Sequence, residues 1–328
     1  MLSLDIQRAL VREASRAPSR SNVQPARWRF AAADDDVVLL RAIGRELPIA
    51  DPAGHDRDIA LGAAWEGMAI ALSRLGLALG APHAGRTLVE EGLETVARGR
   101  IREGEATDPL AAVVDARRSW RGCFAPATPD SRARLASLAA PDVLVVDDPE
   151  TIDVVARYHD RATWHFESDP VWHRERWRWL RLSRRDPRWG RDGLDADCLA
   201  LEGGRRARAR LALRPFMFTL LARLRLARTL VRETAEASSA TGLLLFAPSR
   251  DLSPFDTGRR FYRLWLELTA AGLYALPMSA TTDFAETRDQ LAERVDLPAD
   301  RRLAAILRVG IAPAPPASAR LPVDDLLV

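Results

Sequence analysis

GAAWEGMAIALSRLGL, residues 62–77, and GRRFYRLWLELTAAGL, residues 258–273, both open with Gly and close with Gly-Leu at one spacing. Each reads as part of a long apolar helix, over Arg57–Leu77 and Thr257–Leu273, the first ending at Gly76. Asp58 and Asp256 lie just upstream of the two glycines, at slightly different distances. After a short connection each helix leads to a strand, near Thr95–Ile101 and at Leu303–Ile311. Any two buried helices share Leu, Ala and a closing Gly. Here the flanking elements recur in the same order as well, which favours an internal duplication.

A chain of 328 residues can bury one large core or two smaller ones. No run of about eighteen uncharged apolar residues is present, so no spanning helix is expected. The opening MLSLDIQRALVREASR reads as an amphipathic helix, without the long apolar centre of a signal peptide. Cys123 and Cys198 form neither a disulfide framework nor a metal spacing, and a reducing cytoplasm is the expected setting. Every basic residue is Arg. The lack of Lys excludes a Lys Schiff base and a phosphate-binding P-loop. His165 and His173 lie near Glu167 and Asp169, but no HExxH-like spacing exists, so no metal is expected.

The remaining pattern reads as α+β. A helix over residues 4–16 is stopped by Pro18, and strands Trp28–Ala32 and Val37–Leu40 flank the acidic turn Asp34–Asp36. Residues 113–124 form a basic, polar turn. Helices at 131–139 and 150–165 enclose the strand Val143–Val146; the strand Thr241–Ala247 and a short helix at 285–294 follow. The tail is proline-rich and partly extended. Segment 164–236 differs in character: between Arg174 and Arg232 seventeen Arg stand against six acidic residues, with three Trp among them.

One loop invites a ligand. In APSRSNVQPARWRF, residues 17–30, a proline-opened turn carries Ser19, Ser21, Asn22 and Gln24 just ahead of an apolar strand. Pro18, Ser19, Asn22, Gln24 and Pro25 match a Pro-Ser-x-x-Asn-x-Gln-Pro loop, with Ala26 at the place of a usual Trp and Trp28 two residues later. Arg117, Ser119 and Arg121 match an Arg-x-Ser-x-Arg turn, GLYALPMS (272–279) a helix end with its following loop, and Arg320-Leu321-Pro322 an Arg-x-Pro tail. On this ordered set the chain resembles the FMN-dependent nitroreductase family in its tandem, Acg-type form. The resemblance covers nearly everything except about 164–236.

The resemblance implies a nitroreductase-like fold of two fused half-copies, 1–112 and 113–328, forming an intramolecular pseudo-dimer with helices around antiparallel or mixed sheets. It implies non-covalent FMN, the phosphate held by Arg117, Ser119, Arg121 and Arg320. Guanidinium groups suit that role because they form fixed forks that stay charged. Pro18, Ser19, Ser21, Asn22 and Gln24 would serve the ribityl chain and the pyrimidine edge. Pro277, Met278 and Ser279 would bring a backbone N–H near flavin N5. The first half has the polar loop but no Arg-x-Ser-x-Arg turn; the second has the turn, while Ala140-Pro141-Asp142 runs straight into a strand. One composite FMN site per chain is therefore expected.

Segment 164–236 stands where Acg-type proteins carry a lid, and Trp172, Trp177, Trp179 and Trp189 would cover an aromatic ring. The expected activity is an oxidoreductase passing hydride from NAD(P)H to a small-molecule acceptor. No catalytic acid or base stands out. The alternative is an FMN storage protein closed by its lid. A monomeric pseudo-dimer is expected, with no nucleic-acid partner; membrane-surface contact through 211–232 is a lesser reading.

Overall fold

The computed structural model describes residues 2–31, 36–83, 89–104, 106–313 and 315–328. Its first elements are α1 (Leu4–Ala14), β1 (Ala26–Ala31), β2 (Asp36–Ala42), α2 (His55–Ser73), β3 (Leu77–Leu79), β4 (Val89–Glu90) and β5 (Leu93–Glu103). The strands form an antiparallel sheet in the order β1-β2-β5-β3, with β4 pairing the start of β5. Ala32 and most of the acidic turn, Asp34 and Asp35, fall outside the described residues. α2 stops at Ser73, short of the expected Leu77, because Gly76 turns the chain at φ +69° and Leu77 opens β3.

The 3-10 stretch Pro109–Ala116 leads to α3 (Pro129–Ala136), β6 (Val143–Val146), α4 (Pro149–Glu167), α5 (Pro170–Arg178), β7 (Leu180–Arg181) and β8 (Leu194–Asp195). Next come α6 (Gly203–Ala212), α7 (Pro215–Arg223), α8 (Thr234–Ser238), β9 (Gly242–Phe246) and α9 (Pro254–Ala270). The chain closes with β10 (Tyr274–Pro277), α10 (Ser279–Asp283), α11 (Ala285–Arg294) and β11 (Ala305–Gly310). α9 starts earlier than Thr257 because Ser253 caps it, accepting from the Asp256 amide at 3.0 Å, and Pro254 fits the first turn. Among the described residues no helix is long and apolar enough to cross a membrane.

The second sheet runs β10-β11-β9-β6, again antiparallel. Set against β3-β5-β2-β1 it has the same winding: helix, strand, central strand, long helix, edge strand, central strand. The difference is what separates the first two strands. Between β6 and β9 the chain inserts residues 147–241, including α4 to α8. The tail then returns to the first sheet, where the Trp28 amide donates to Leu326 O at 2.8 Å and the Val328 amide to Trp28 O at 2.9 Å.

α2 and α9 lie between the sheets and cross at their glycines. A Cβ on Gly62 would sit 1.8 Å from the Phe255 carbonyl oxygen, and one on Gly258 2.0 Å from that of Ile59. Each oxygen belongs to the residue three before the other helix's glycine, so the contact is reciprocal. Ala60 through Met68 are buried without interruption, which is why α2 reads as apolar on every side. α9 gives Tyr262 and Leu266 to the first core, and Phe261, Leu264, Trp265 and Leu268 to the second. The crossing also buries Glu66, which accepts from Arg259 at 3.0 Å and Arg263 at 3.0 Å.

Side chains at the two glycines would collide with backbone, which cannot swing aside. Gly62→Val and Gly258→Val should each destabilise the fold by more than about 3 kcal/mol in urea unfolding. Gly204→Ala, where a Cβ meets nothing within 4 Å, should stay within about 0.5 kcal/mol.

Candidate functional site

The polar loop after α1 has an unusual backbone. Ser21, Asn22 and Gln24 all lie at positive φ, 49°, 54° and 52°, a region that costs L-residues about 1 kcal/mol or more each. Side-chain bonds hold it. Ser19 Oγ accepts from the Gln24 amide at 3.0 Å, and Asn22 Nδ2 donates to Gly193 O and Ala319 O, both at 3.0 Å. Gln24 Nε2 donates to Arg191 O at 2.8 Å, while its Oε1 accepts from the Leu321 amide at 2.8 Å. The loop is thereby tied to both the inserted segment and the tail.

A cavity with an open volume of about 1190 Å³, its mouth included, lies between this loop and the second sheet. Of the residues singled out in the sequence, Pro18, Ser19, Ser21, Asn22, Arg117, Ser119, Arg121, Pro277, Ser279 and Arg320 line it. Two do not. Gln24 sits behind the loop as a brace, and Met278 points into the core beside Ile152, Leu245 and Leu291. The Met278 amide donates to Ile306 O at 2.8 Å. Pro277 has no N–H, so Met278 cannot supply the amide expected to face a ligand, and only that of Ser279 is left in this loop. The Arg117–Arg121 turn is brought here because Ser119 bridges to Ala275 and the Trp120 amide donates to Ala275 O at 3.0 Å.

One end of the cavity is strongly cationic. Arg117 is buried and Arg320 half-buried, and among the described residues neither pairs with a carboxylate. Arg320 donates to Asn22 Oδ1 at 3.2 Å, Ala319 O at 2.8 Å and Arg16 O at 3.1 Å. Arg117 donates to Arg16 O at 2.9 Å and lies 4.8 Å over the Trp265 ring, and its buried Nε has no partner. Burial pushes the Arg117 guanidinium below its ordinary value. Burial first, then Arg117 and Arg16, pulls Arg320 down to about 9. Such a pair is costly to bury and calls for an anion.

Elsewhere on the wall is a group that sequence reasoning missed. Arg20 lies between carboxylates, 2.7 Å from Asp283 Oδ2 and in a short contact with Asp56 Oδ2. Burial raises Asp283 to about 6, against the opposing pull of Arg20. Thr282 and Ser318 also line the cavity. Arg20 stood inside the quoted loop but read as one more charge there, and Asp283 carried no local signal. Among the described residues no group of three His, Cys, Asp or Glu is placed to hold a metal ion.

The expected tryptophan cover is not what the structure contains. Trp179 packs on Val23 and Leu47, and Trp172 stacks on Phe166 at 5.7 Å. Trp177 and Trp189 surround Leu180, Leu182 and Ala196. Trp177 and Trp189 thus help build a small core within the inserted segment, whereas Trp179 fastens that segment to the first half. Leu194 is the segment's contribution to the cavity wall. Trp28 is also absent from the wall, being buried against Trp65 at 6.3 Å.

The chain is similar to the solved structure of oxidized iodotyrosine deiodinase bound to FMN and 3-iodo-L-tyrosine. The two share 17% identity at a TM-score of 0.33, covering 64% of this chain and 94% of that one. It is similar also to the FMN and NADPH-dependent nitroreductase NfnB from Sphigopyxis sp. strain HMH, with 19% identity, a TM-score of 0.35, and 67% and 98% coverage. No protein-family model matches the sequence, and no curated protein matches it. Function therefore rests on the residues of the cavity.

The cationic end has a pH signature. Because the folded-state pKa of Arg320 is below its unfolded value, its charge costs stability fully below about pH 9, a cost relieved as the pH rises further. A phosphate-bearing ligand restores the charged form. Its affinity, measured by calorimetry, should be flat from about pH 7.5 to 8.5 and fall by up to about tenfold per unit above pH 9.

Proposed function

We propose that this chain is an FMN-binding oxidoreductase of nitroreductase-like fold, with one composite flavin site built by two fused half-copies. The observation that carries the reading is the convergence of separate sequence motifs on one cavity. The polar loop of residues 18–22, the turn Arg117–Arg121, the loop at Pro277–Ser279 and the tail at Arg320 all line it. The common strand order and the reciprocal contacts of Gly62 and Gly258 support the fused pseudo-dimer, divided near residue 112. The inserted segment is then 147–241, wider than the 164–236 read from composition, since α4 packs through Ile152 and Val155 beside β9.

The cavity's chemistry fits the group. Two guanidinium groups without a counter-ion, one of them buried with an orphaned Nε, suit a dianionic phosphate. Arg117, Arg121, Arg320, Ser119 and Ser318 would hold that phosphate. Ser19, Ser21 and Asn22 would serve the ribityl and ring-edge groups. When bound, FMN supplies the hydride and electron transfer, with NAD(P)H as reductant and an electrophilic or quinone-like molecule as acceptor. The chain's own part is chiefly to position and exclude water. Burial holds the Asp283 carboxyl above its ordinary value, and Arg20 fixes that carboxyl at the wall.

A second reading, FMN storage without turnover, is favoured by the way the inserted segment is fastened down. Asn22 and Gly193 exchange bonds at 3.0 and 3.2 Å, and Glu175 accepts from the Ile49 and Ala50 amides at 3.0 and 2.8 Å. Reduction of the bound flavin by NADPH and reoxidation by a quinone would establish the enzyme; a flavin that stays oxidised under excess reductant would establish storage.

The purified protein should be yellow and release one FMN per chain. Arg117→Ala and Arg320→Ala should each weaken flavin retention by roughly 1.5–3 kcal/mol. A colourless protein that cannot be loaded with FMN overturns the proposal, and two flavins per chain overturns the composite site.

A further inference from the structure

Between Glu202 and Glu233 the sequence has no acidic residue and nine Arg. Eight of these are exposed, Arg206 being half-buried over the Trp189 ring. Among the described residues only Arg232 has a carboxylate partner, Asp160 at 3.4 Å. Six large apolar side chains are exposed in the same stretch: Leu211, Phe216, Leu220, Leu224, Leu226 and Leu230. Phe216, at the start of α7, is 81% exposed.

This exposure is not a frayed helix. α7 is anchored by its opposite side, where Phe218 stacks on the His173 ring at 3.9 Å and packs near Leu221 and Ala222. His173 is itself fixed, its Nδ1 2.6 Å from Glu167 Oε2 and its Nε2 2.9 Å from Leu213 O. Phe216, Leu220 and Leu224 are spaced i, i+4, i+8, so they form one stripe along the outer side. α7 thus has two apolar faces, and the fold covers one of them.

We propose that residues 203–232 dock on an anionic phospholipid surface, the outer stripe of α7 entering the acyl boundary and the surrounding Arg meeting the headgroups. Charge decides the occupant. A second copy would bring nine more Arg against the first nine, with no acidic residue in the stretch to meet them. A nucleic acid would satisfy the Arg but leave the apolar side chains against phosphates and sugars. An anionic bilayer satisfies both, through apolar burial plus attraction for each basic side chain. The proposal does not depend on the flavin reading.

Sedimentation of the full chain with vesicles tests it. Binding is expected to vesicles of phosphatidylcholine mixed with phosphatidylglycerol, to weaken with added salt, and to be absent with phosphatidylcholine alone. Phe216→Asp should lower the partition coefficient at least about tenfold. Arg223→Ser, Arg225→Ser and Arg228→Ser together should lower it about a hundredfold. All four positions are exposed, and an unchanged melting temperature confirms that the variants fold. No binding to anionic vesicles, equal binding to neutral ones, or undiminished binding by Phe216→Asp overturns the proposal. So does a soluble dimer that Phe216→Asp dissociates while the wild-type chain ignores vesicles.

Discussion

The backbone contact between α2 and α9 is the constraint around which the molecule is arranged. Two helices can bring main chain against main chain only where neither carries a side chain, and Gly62 and Gly258 meet that requirement for each other. The contact excludes water from the crossing, so Glu66 must find its partners inside, and it does so with Arg259 and Arg263 of the opposing helix. A buried carboxylate between two guanidinium groups fixes rotation where apolar packing alone would leave latitude. Because each helix leads into its own sheet, the crossing also sets the distance between the sheets. The cavity occupies part of that gap, with Ile59 and Ala60 of α2 on one side and Phe261 and Trp265 of α9 on the other.

Against this rigid frame the cationic end of the cavity is a standing cost. Arg117 and Arg320 are held by carbonyl oxygens, which orient a guanidinium without neutralising it. Burial pushes both toward neutrality, helped by Arg118 and Arg16 at Arg117 and by Arg117 and Arg16 at Arg320. The Arg20 group solves the same problem the other way, with Asp56 and Asp283 on either side. One cavity therefore has an uncompensated positive end and a compensated ionic wall. Only the first gains from taking up an anion, which gives a ligand bearing a phosphate one favoured direction of entry.

What could be read from the sequence divides along physical lines. The helix pair was legible because glycine at a crossing is a local property that repeats. The polar loop and the Arg117–Arg121 turn were legible because their residue types are unusual together. The Arg20, Asp56 and Asp283 group was not, because its members come from three distant elements and each alone resembles a solvated charge. The tryptophans were misread for a related reason. Tryptophans in a segment placed like a lid suggest a cover, but Trp177 and Trp189 are consumed in the segment's own small core and Trp179 in its contact with Val23 and Leu47. The extent of the inserted segment was legible only as topology, since α4 has the composition of an ordinary core helix.

The strained loop gives the inserted segment a different role from that of a cover. Ser21, Asn22 and Gln24 hold positive φ together, a cost of roughly 1 kcal/mol or more each. Two of the bonds that keep the shape come from the inserted segment, through Arg191 O and Gly193 O, and others from the tail, through Ala319 O and the Leu321 amide. Arg45 adds a bond from the first half to Asp192 at 3.1 Å, and Arg181 holds that same carboxylate from within the segment. If the segment lifted away, Asn22 and Gln24 would lose the Gly193 O and Arg191 O acceptors and the loop would be held by the tail alone. The segment is thus a brace whose docking shapes the cavity wall, and its basic, apolar outer face is free to serve a separate surface.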